Sequence, residues 1–385
     1  MFKKTKIFSF FSGSGFLDLG FEMSGFKIAY VSEIFSPFMQ AYRYARECLN
    51  LPLPEYGYQE GAEADVANLI EGEAAIRLSH LIRDARQTTE SVGFIGGPPC
   101  PDFSIGGKNR GGEGENGKLS AAYIELICQH QPDFFLFENV KGLWRTKKHR
   151  CFLEQQKLKL YQSGYLLVER LINALEYGVP QDRDRIIIIG FKSKFLKERG
   201  MPISDVRQVL PEAEFPWKNW ILYPKHEIFS YQWPATAPFQ NDAKIPCPSG
   251  IPIELTVEYW FQKNDVTNHP NAENYFKQKA GMKRFISVDE GDVSRKSFKR
   301  LHRWRYSPTA CYGNNEVHLH PYQARRLSVA EALAIQSLPQ NFVLPPNLSL
   351  SHLFKTVGNG VPYLAALGIA KTILDFLSDL PNFKG

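Results

Sequence analysis

The apolar positions of the chain change period several times, and each change marks a boundary. KIFSFFSG, residues 6–13, reads as a short strand running into the glycine turn of SGSGF, after which Phe16, Leu19 and Met23 recur at helical spacing. KIAYVSE, residues 27–33, returns to a strand pattern. Strand, turn, helix and strand in quick succession make a βαβ unit, and such units build parallel sheets with helices on both faces. Further strands are expected at VGFIGG (92–97), DFFLFENV (133–140) and RIIIIGF (185–191). The last is apolar throughout, as a strand buried on both faces should be. The pattern predicts a doubly wound, mostly parallel α/β sheet.

After Phe191 the periodicity is lost in FPWKNWILYPKHEIFSYQWPATAPFQNDAKIPCPSGIPIE, a stretch rich in proline and aromatic residues. This change of texture predicts three parts: a first domain over 1–190, a second and smaller one over 191–305, and a segment 306–385 that returns to complete the first. Regular structure resumes near HPYQARRLSVAEALAIQSLP, where Ser328 followed by Glu331 is a capping box and Val329, Leu333 and Gln336 keep helical spacing. A final helix, YLAALGIAKTILDFL, follows VGNGVP. There is no internal repeat, and the single low-complexity tract is a glycine run at 106–117.

Composition narrows the class only slightly. The 385 residues are 43% apolar, enough for a well-buried core, and the net charge of +6 permits a nucleic-acid partner without requiring one. Six cysteines, Cys48, Cys100, Cys128, Cys151, Cys247 and Cys311, are scattered without a Cys-x-x-Cys pair or a His/Cys cluster, so reduced thiols in a cytosol are expected, and no metal. The N-terminal MFKKTKIFSFFSGSG has too short and too broken an apolar run for an export signal. No membrane-spanning window is expected.

Four places carry candidate chemistry. Gly13 and Gly15 sit where a strand hands over to a helix, and Glu33 closes the next strand, where an acid can hold ribose hydroxyls. Phe16 stands where a dinucleotide fingerprint needs a glycine, so an adenosine ligand without phosphates fits better than NAD; a plain tight turn also fits. Cys100 lies in GGPPCPDFS, where Pro98, Pro99 and Pro101 hold a thiol on a stiff, non-helical turn past a strand end. A positioned thiol is a strong soft nucleophile, whereas an ordinary free cysteine is a small buried apolar residue, the role expected of the other five. FENV places Glu138 and Asn139 at another strand end, where a buried acid can donate a proton. QDRDR places Arg183 and Arg185 two residues apart ahead of IIIIG, on one face of the strand, where arginine can fix a carbonyl or phosphate oxygen.

In this order the motifs FSFFSGSGF, SEI, ADV, GGPPCPDFS, FENV, QDRDR, RRLSVAEALAIQSLP and VGNGVP resemble the C5 cytosine DNA methyltransferases, over the whole chain outside 191 to about 305. The resemblance implies a Rossmann-like methyltransferase fold with a target-recognition domain. It implies S-adenosylmethionine near Phe11, Gly13, Gly15 and Ile34, with Glu33 on the ribose, Asp65 on the adenine amino group, and Leu119 and Asn359 completing the pocket. It also implies that Cys100 attacks carbon 6 of a cytosine flipped out of duplex DNA. Glu138 then contacts ring nitrogen 3 and the exocyclic amine, Arg185 holds the base carbonyl, and Arg183 supports the site. Three positions depart from the family pattern: Pro101 replaces a usual glutamine, Ser9 stands where an aspartate is frequent, and Phe16 breaks the glycine string.

Two segments are expected to meet DNA. SRKSFKRLHRWRYSPTACYGNN carries Arg295, Lys296, Lys299, Arg300, Arg303 and Arg305 with no acid among them, a run that is either a solvated face or a set of phosphate contacts. The glycine run, with Lys108, Asn109 and Arg110, has the composition of a lid that closes over the base. The expected activity is sequence-specific DNA cytosine-5 methylation by a cytoplasmic, nucleoid-associated monomer, with a possible cognate restriction endonuclease acting on the same site. Two alternatives are a tRNA methyltransferase of the same family and a catalytically silent nucleic-acid or adenosine-binding regulator. The first lacks its Cys-Phe-Thr signature here, and an intact Cys100, Glu138 and Arg185 argue against the second.

Overall fold

The computed structural model describes residues 5–58, 64–99, 115–203, 209–278, 282–295, 297–310, 312 and 317–383. Six strands form the central sheet: β1 (Lys6–Phe10), β2 (Lys27–Ser32), β3 (Val92–Gly96), β4 (Phe134–Val140), β5 (Tyr165–Asn173) and β7 (Asp184–Lys192). Their spatial order is β2-β1-β3-β4-β7-β5. β1 pairs in parallel with β2 and β3, and β3 with β4, while β7 runs antiparallel to both β4 and β5. β7 is thus the one reversed strand of this sheet. β5 adds to the strands expected from sequence; its central Glu169, Arg170 and Leu171 are only half-buried at the sheet edge, which breaks up its apolar signal.

Successive residues of each strand enter opposite layers, as the two-residue period of a strand requires. Ile7, Ile28, Ile95, Leu136, Ile187 and Ile189 pack into one core with Phe21 and with Ala366, Ile369, Ile373 and Phe376. Phe8, Ala29, Phe94, Phe135, Phe137, Ile186 and Ile188 pack into a second. The second layer is covered by α3 (Gly72–Thr88), α4 (Glu115–His130) and α6 (Lys147–Gln162), with the short α5 (Lys141–Arg145) leading into α6. The first is covered by α1 (Phe16–Met23) and the C-terminal α13 (Tyr363–Ser378). These two helices approach so closely that a Cβ on Gly20 would lie 2.6 Å from that of Ala366. α2 (Ser36–Cys48), α11 (Val329–Ile335) and α12 (Leu350–Asn359) meet in a third apolar cluster, which holds Phe16 edge-on to Phe342 with ring centroids 5.1 Å apart. The expected capping box forms: Ser328 Oγ accepts from Glu331 N–H, and the Glu331 carboxylate accepts from Ser328 N–H.

By length and composition alone, Leu350–Ser378 passes for a membrane-crossing helix, which departs from the sequence expectation. In the fold it is two helices parted at Gly360–Pro362, and α13 buries its apolar residues against the sheet.

The rest of the chain is mostly loop, with small helices α7 (Ser193–Glu198), α8 (Lys225–Ile228), α9 (Val257–Lys263) and α10 (Met282–Ile286). Two-residue strands β6 (Gln181–Asp182) and β9 (Ser307–Pro308) pair with each other, as do β8 (Lys299–Arg300) and β10 (His318–Leu319).

Beneath the β1–α1 turn, Asp18 is fully buried, accepting from Ser9 Oγ at 2.6 Å and from Tyr42 OH at 3.0 Å. Ser9 is therefore a partner for this acid. Burial pushes the Asp18 carboxyl up to about 6, outweighing the two hydroxyl donors and nearby Arg46. Its folded value exceeds its unfolded one, so the stability it contributes is complete below pH 4 and declines as the pH rises through about 6. The linkage amounts to about 3 kcal/mol, at 1.36 kcal/mol per unit. Thermal unfolding of Asp18→Asn is expected to show a flatter dependence on pH between about 4 and 7 than that of the parent.

Candidate active site

Because β7 is reversed, its N-terminal end lies at the sheet edge that carries the C-terminal ends of β1 to β4. The register sets Val140 opposite Arg185 and Glu138 opposite Ile187, which puts Glu138 and Arg185 on one face as diagonal neighbours. Arg185 Nε forms an ion pair with Glu138 Oε1 at 2.9 Å, with both side chains largely buried, and Nη1 donates to the Asp184 carbonyl at 2.8 Å.

The turn that leads to Cys100 is fitted around this pair. A Cβ on Gly97 would lie 2.7 Å from Glu138 Oε2, so a larger residue there would make the carboxylate end or the turn shift. Asn139 is buried and reaches the Pro98 carbonyl with Nδ2 at 3.5 Å, while its Oδ1 accepts from Val140 N–H at 2.8 Å. Neither role was assigned from sequence, although both residues lie inside the quoted motifs. Cys100, Pro101 and the run 101–114, with Lys108 and Arg110, lie outside the described residues. Gly117, counted with that run, falls inside α4.

Arg183 departs from the expected pairing with Arg185. Its guanidinium is buried and donates to the carbonyls of Ala310 at 3.2 Å, Gly358 at 3.1 Å and Gly360 at 3.2 Å, so it positions the segment around Asn359. Asp184 holds Lys141 Nζ at 2.5 Å and Lys225 Nζ at 2.8 Å. Burial pushes its carboxyl up, but hydrogen bonds from the two lysines and Asn173 outweigh that and hold it below the usual carboxylate range.

A second group of residues gathers at the ends of β1 and β2. Phe11 and Gly13 take left-handed backbone, at φ 55° and 57°, which costs a phenylalanine more than a glycine. Glu33 Oε2 accepts from Gly13 N–H at 2.9 Å and Oε1 from Phe35 N–H at 2.8 Å. Burial raises the Glu33 carboxyl, against the pull of these backbone donors and Lys355. Ile34 beside it is 66% exposed. Ser32 Oγ bonds the Ala64 carbonyl at 2.9 Å, which brings Asp65, the cap of the 66–69 turn, to the end of β2. Ser14 Oγ meets Thr356 Oγ1, drawing in the end of α12, where Asn359 is exposed. Leu119 is half-buried on α4. A carboxylate fixed by two backbone donors, an exposed apolar side chain next to it and open space around Gly13 suit an adenosine-bearing ligand. A separate open groove of about 680 Å3 between α2 and 345–347 includes none of these residues.

The basic segment near 300 differs most from expectation. Arg300 is completely buried, donating to the carbonyls of Val288 (2.8 Å), Gln323 (3.0 Å), Phe285 and His320, with the Phe239 ring 3.8 Å from its guanidinium carbon. Arg303 is buried against Glu290, with Nε and Nη2 at 2.8 and 2.9 Å from the carboxylate oxygens, and lies over Tyr322. Neither can serve as a phosphate contact. The acid that neutralises Arg303 is distant in sequence, so the run's own composition gave no sign of it. Arg295 is exposed, 3.7 Å from Asp292, and Lys299 is half-buried. Of the other five cysteines, Cys311 lies outside the described residues, and the rest differ from expectation: Cys151 and Cys247 are exposed, and Cys48 and Cys128 only half-buried.

A mostly parallel sheet with one reversed strand beside β4, and an acid closing β2, defines a Rossmann-like methyltransferase. Within that class the chain belongs to the C-5 cytosine-specific DNA methylase family, which matches residues 5–375, and it is a DNA cytosine methyltransferase. It is 53% identical to the Type II methyltransferase M.NmeDI of Neisseria meningitidis serogroup C over 98% of this chain and 85% of that one. It is 28% identical to M.FnuDI of Fusobacterium nucleatum over 98% and 97%. Among solved structures, S. pombe Dnmt2 methyltransferase superposes with a TM-score of 0.58 at 11% identity, covering 98% of this chain and 99% of that one. A prophage-encoded E. coli protein superposes with a TM-score of 0.62 at 22% identity, covering 98% and 100%.

Proposed function

We propose that the chain methylates carbon 5 of one cytosine within a specific duplex sequence, with Cys100 as nucleophile, Glu138 as acid and Arg185 as holder of the base carbonyl. The observation that carries this reading is the Glu138–Arg185 pair at the sheet edge, with the Gly97–Pro98 turn packed onto it. Carbon 5 of cytosine is a poor nucleophile until the Cys100 thiolate adds to carbon 6 while Glu138 gives a proton to nitrogen 3. The ring is then an enamine whose carbon 5 can take a methyl group. Methyl transfer releases S-adenosylhomocysteine; loss of the carbon 5 proton to a base, expulsion of the thiolate and return of the nitrogen 3 proton to Glu138 restore the neutral aromatic base and the free enzyme. Arg185 has Nε on Glu138 and Nη1 on a backbone carbonyl, so Nη2 is the arm its fork offers to the base carbonyl. Access requires the base to leave the stack, at roughly a few kcal/mol.

S-adenosylmethionine, when bound, supplies an electrophilic methyl group on a sulfonium. Glu33 would accept its ribose hydroxyls, Ile34 would cover the adenine face and Asp65 would accept from the adenine amine, with Phe11, Gly13, Gly15, Leu119 and Asn359 forming the walls. Residues 191–305 would read the target sequence, 1–190 and 306–385 forming the catalytic domain. The kinship with Type II methyltransferases supports a place beside a cognate endonuclease; binding to DNA would hold the chain on the nucleoid in the cytoplasm, and one chain carrying both catalytic and reading parts suits a monomer.

Incubation with a tritiated methyl donor and either duplex DNA or tRNA tests this. Label is expected in DNA as 5-methylcytosine. Label in tRNA alone would overturn the reading, and label in neither would point to a silent binding protein.

A further inference from the structure

With Arg300 and Arg303 buried, the phosphates flanking the target need other partners, and a second basic run stands beside the active site. From Lys141 to Arg150 the sequence is KGLWRTKKHR, and no acid occurs between Glu138 and Glu154. Lys141 is held by Asp184 and His149 is buried, but Arg145, Lys147, Lys148 and Arg150 are exposed. α5 begins one residue after Val140, which pairs with Arg185, so it leaves the sheet at the edge that carries Glu138. Its five residues advance the chain only about 7 to 8 Å at 1.5 Å per residue, and the first turn of α6 stays near that edge.

The electrostatics of the helix start do not favour these charges. The first turn of α6 contains no acid, and cations there oppose the helix dipole. Arg150 is steadied by stacking on Trp144, its guanidinium carbon 4.8 Å from the ring centroid, and lies 3.8 Å from Glu154. We propose that Arg145, Lys147 and Lys148, with Arg150 beside them, form a phosphate-binding surface that seats the backbone of the duplex next to the flipped cytosine. Contacts of this kind fix register and orientation and carry no sequence information, which suits a surface built from the catalytic part of the chain.

The inference rests on duplex DNA being the substrate, and the salt dependence of binding tests it. Each phosphate contact contributes about 0.9 to the slope of log K against log salt concentration for duplex DNA. For K147Q/K148Q the slope is expected to fall by about 2, with affinity weakened alike for target and non-target duplexes. The control is K194Q/K197Q, with the same change in net charge on α7, which follows β7 at the opposite sheet edge. It is expected to keep the parental slope. Equal slopes in parent and K147Q/K148Q, at matched thermal stability, would overturn the inference. So would equal losses in the two double variants, since that would be a net-charge effect. A parent that binds no duplex at all would instead overturn the substrate assignment beneath it.

Discussion

Cys100→Ser is expected to lose methyl transfer by on the order of 10⁴-fold or more, the scale on which removing a covalent nucleophile acts. The hydroxyl of serine ionises far less readily than a thiol and is a harder nucleophile, so addition to carbon 6 fails and carbon 5 never becomes nucleophilic. The expected readout is twofold. Tritium transfer to duplex DNA disappears, and a duplex carrying 5-fluorocytosine at the target no longer forms a covalent complex. That analogue traps the parent because fluorine cannot leave as a cation, so the thiolate cannot be expelled. Binding of the methyl donor should be kept, since the β1 and β2 ends that carry Gly13 and Glu33 are separate strands from β3. Cys151→Ser and Cys247→Ser change the exposed thiols and should leave turnover unaltered. Turnover by the Cys100→Ser chain at the parental rate would exclude covalent catalysis through this residue.

Local motifs carried most of the site into view before the fold did. The prolines around Cys100, the acid of FENV and the arginines of QDRDR were legible because each constrains its own few residues of backbone. The reversal of β7 was not, since RIIIIGF is equally apolar whichever way it runs; yet that reversal is what brings Arg185 to Glu138. For the same reason Arg183 and Arg185 looked like a pair in sequence and serve different ends in space. The stretch around Arg300 shows the opposite failure. A run of cations reads as a surface when its partners are backbone carbonyls from 285 to 323 and an acid at Glu290, none of which the run itself contains. Charge runs report location only when their counter-charges are local. The α5–α6 run fares better on that check: Glu138 is engaged with Arg185, Glu154 is shared between Lys157 and Arg150, and Arg145, Lys147, Lys148 and Arg150 all stay exposed.

Glu138→Gln is expected to lower kcat by about 10² to 10⁴-fold, the usual contribution of a positioned acid. The amide keeps the shape of the side chain and still places an oxygen beside Arg185 Nε, so the fold and the affinity for duplex should change little. What it cannot do is give a proton to nitrogen 3, and without that proton the electrons released by thiolate addition have nowhere to settle. Gly97→Ala offers a complementary test, because it leaves the acid in place and alters only its position. Gly97 does not use left-handed backbone, so alanine is tolerated conformationally, but its Cβ would stand 2.7 Å from Glu138 Oε2. Either the carboxylate turns away from that oxygen's position or the Gly97–Pro98 turn lifts, and both alter the distance between acid and thiol. A loss of about 10 to 10² in kcat is expected, since a displacement of about 1 Å can cost 10²-fold. Single-turnover rates and unfolding midpoints of the two variants separate the cases. A slow Glu138→Gln beside a fully active Gly97→Ala would mean that the acid is needed but its approach to the Gly97 backbone is not.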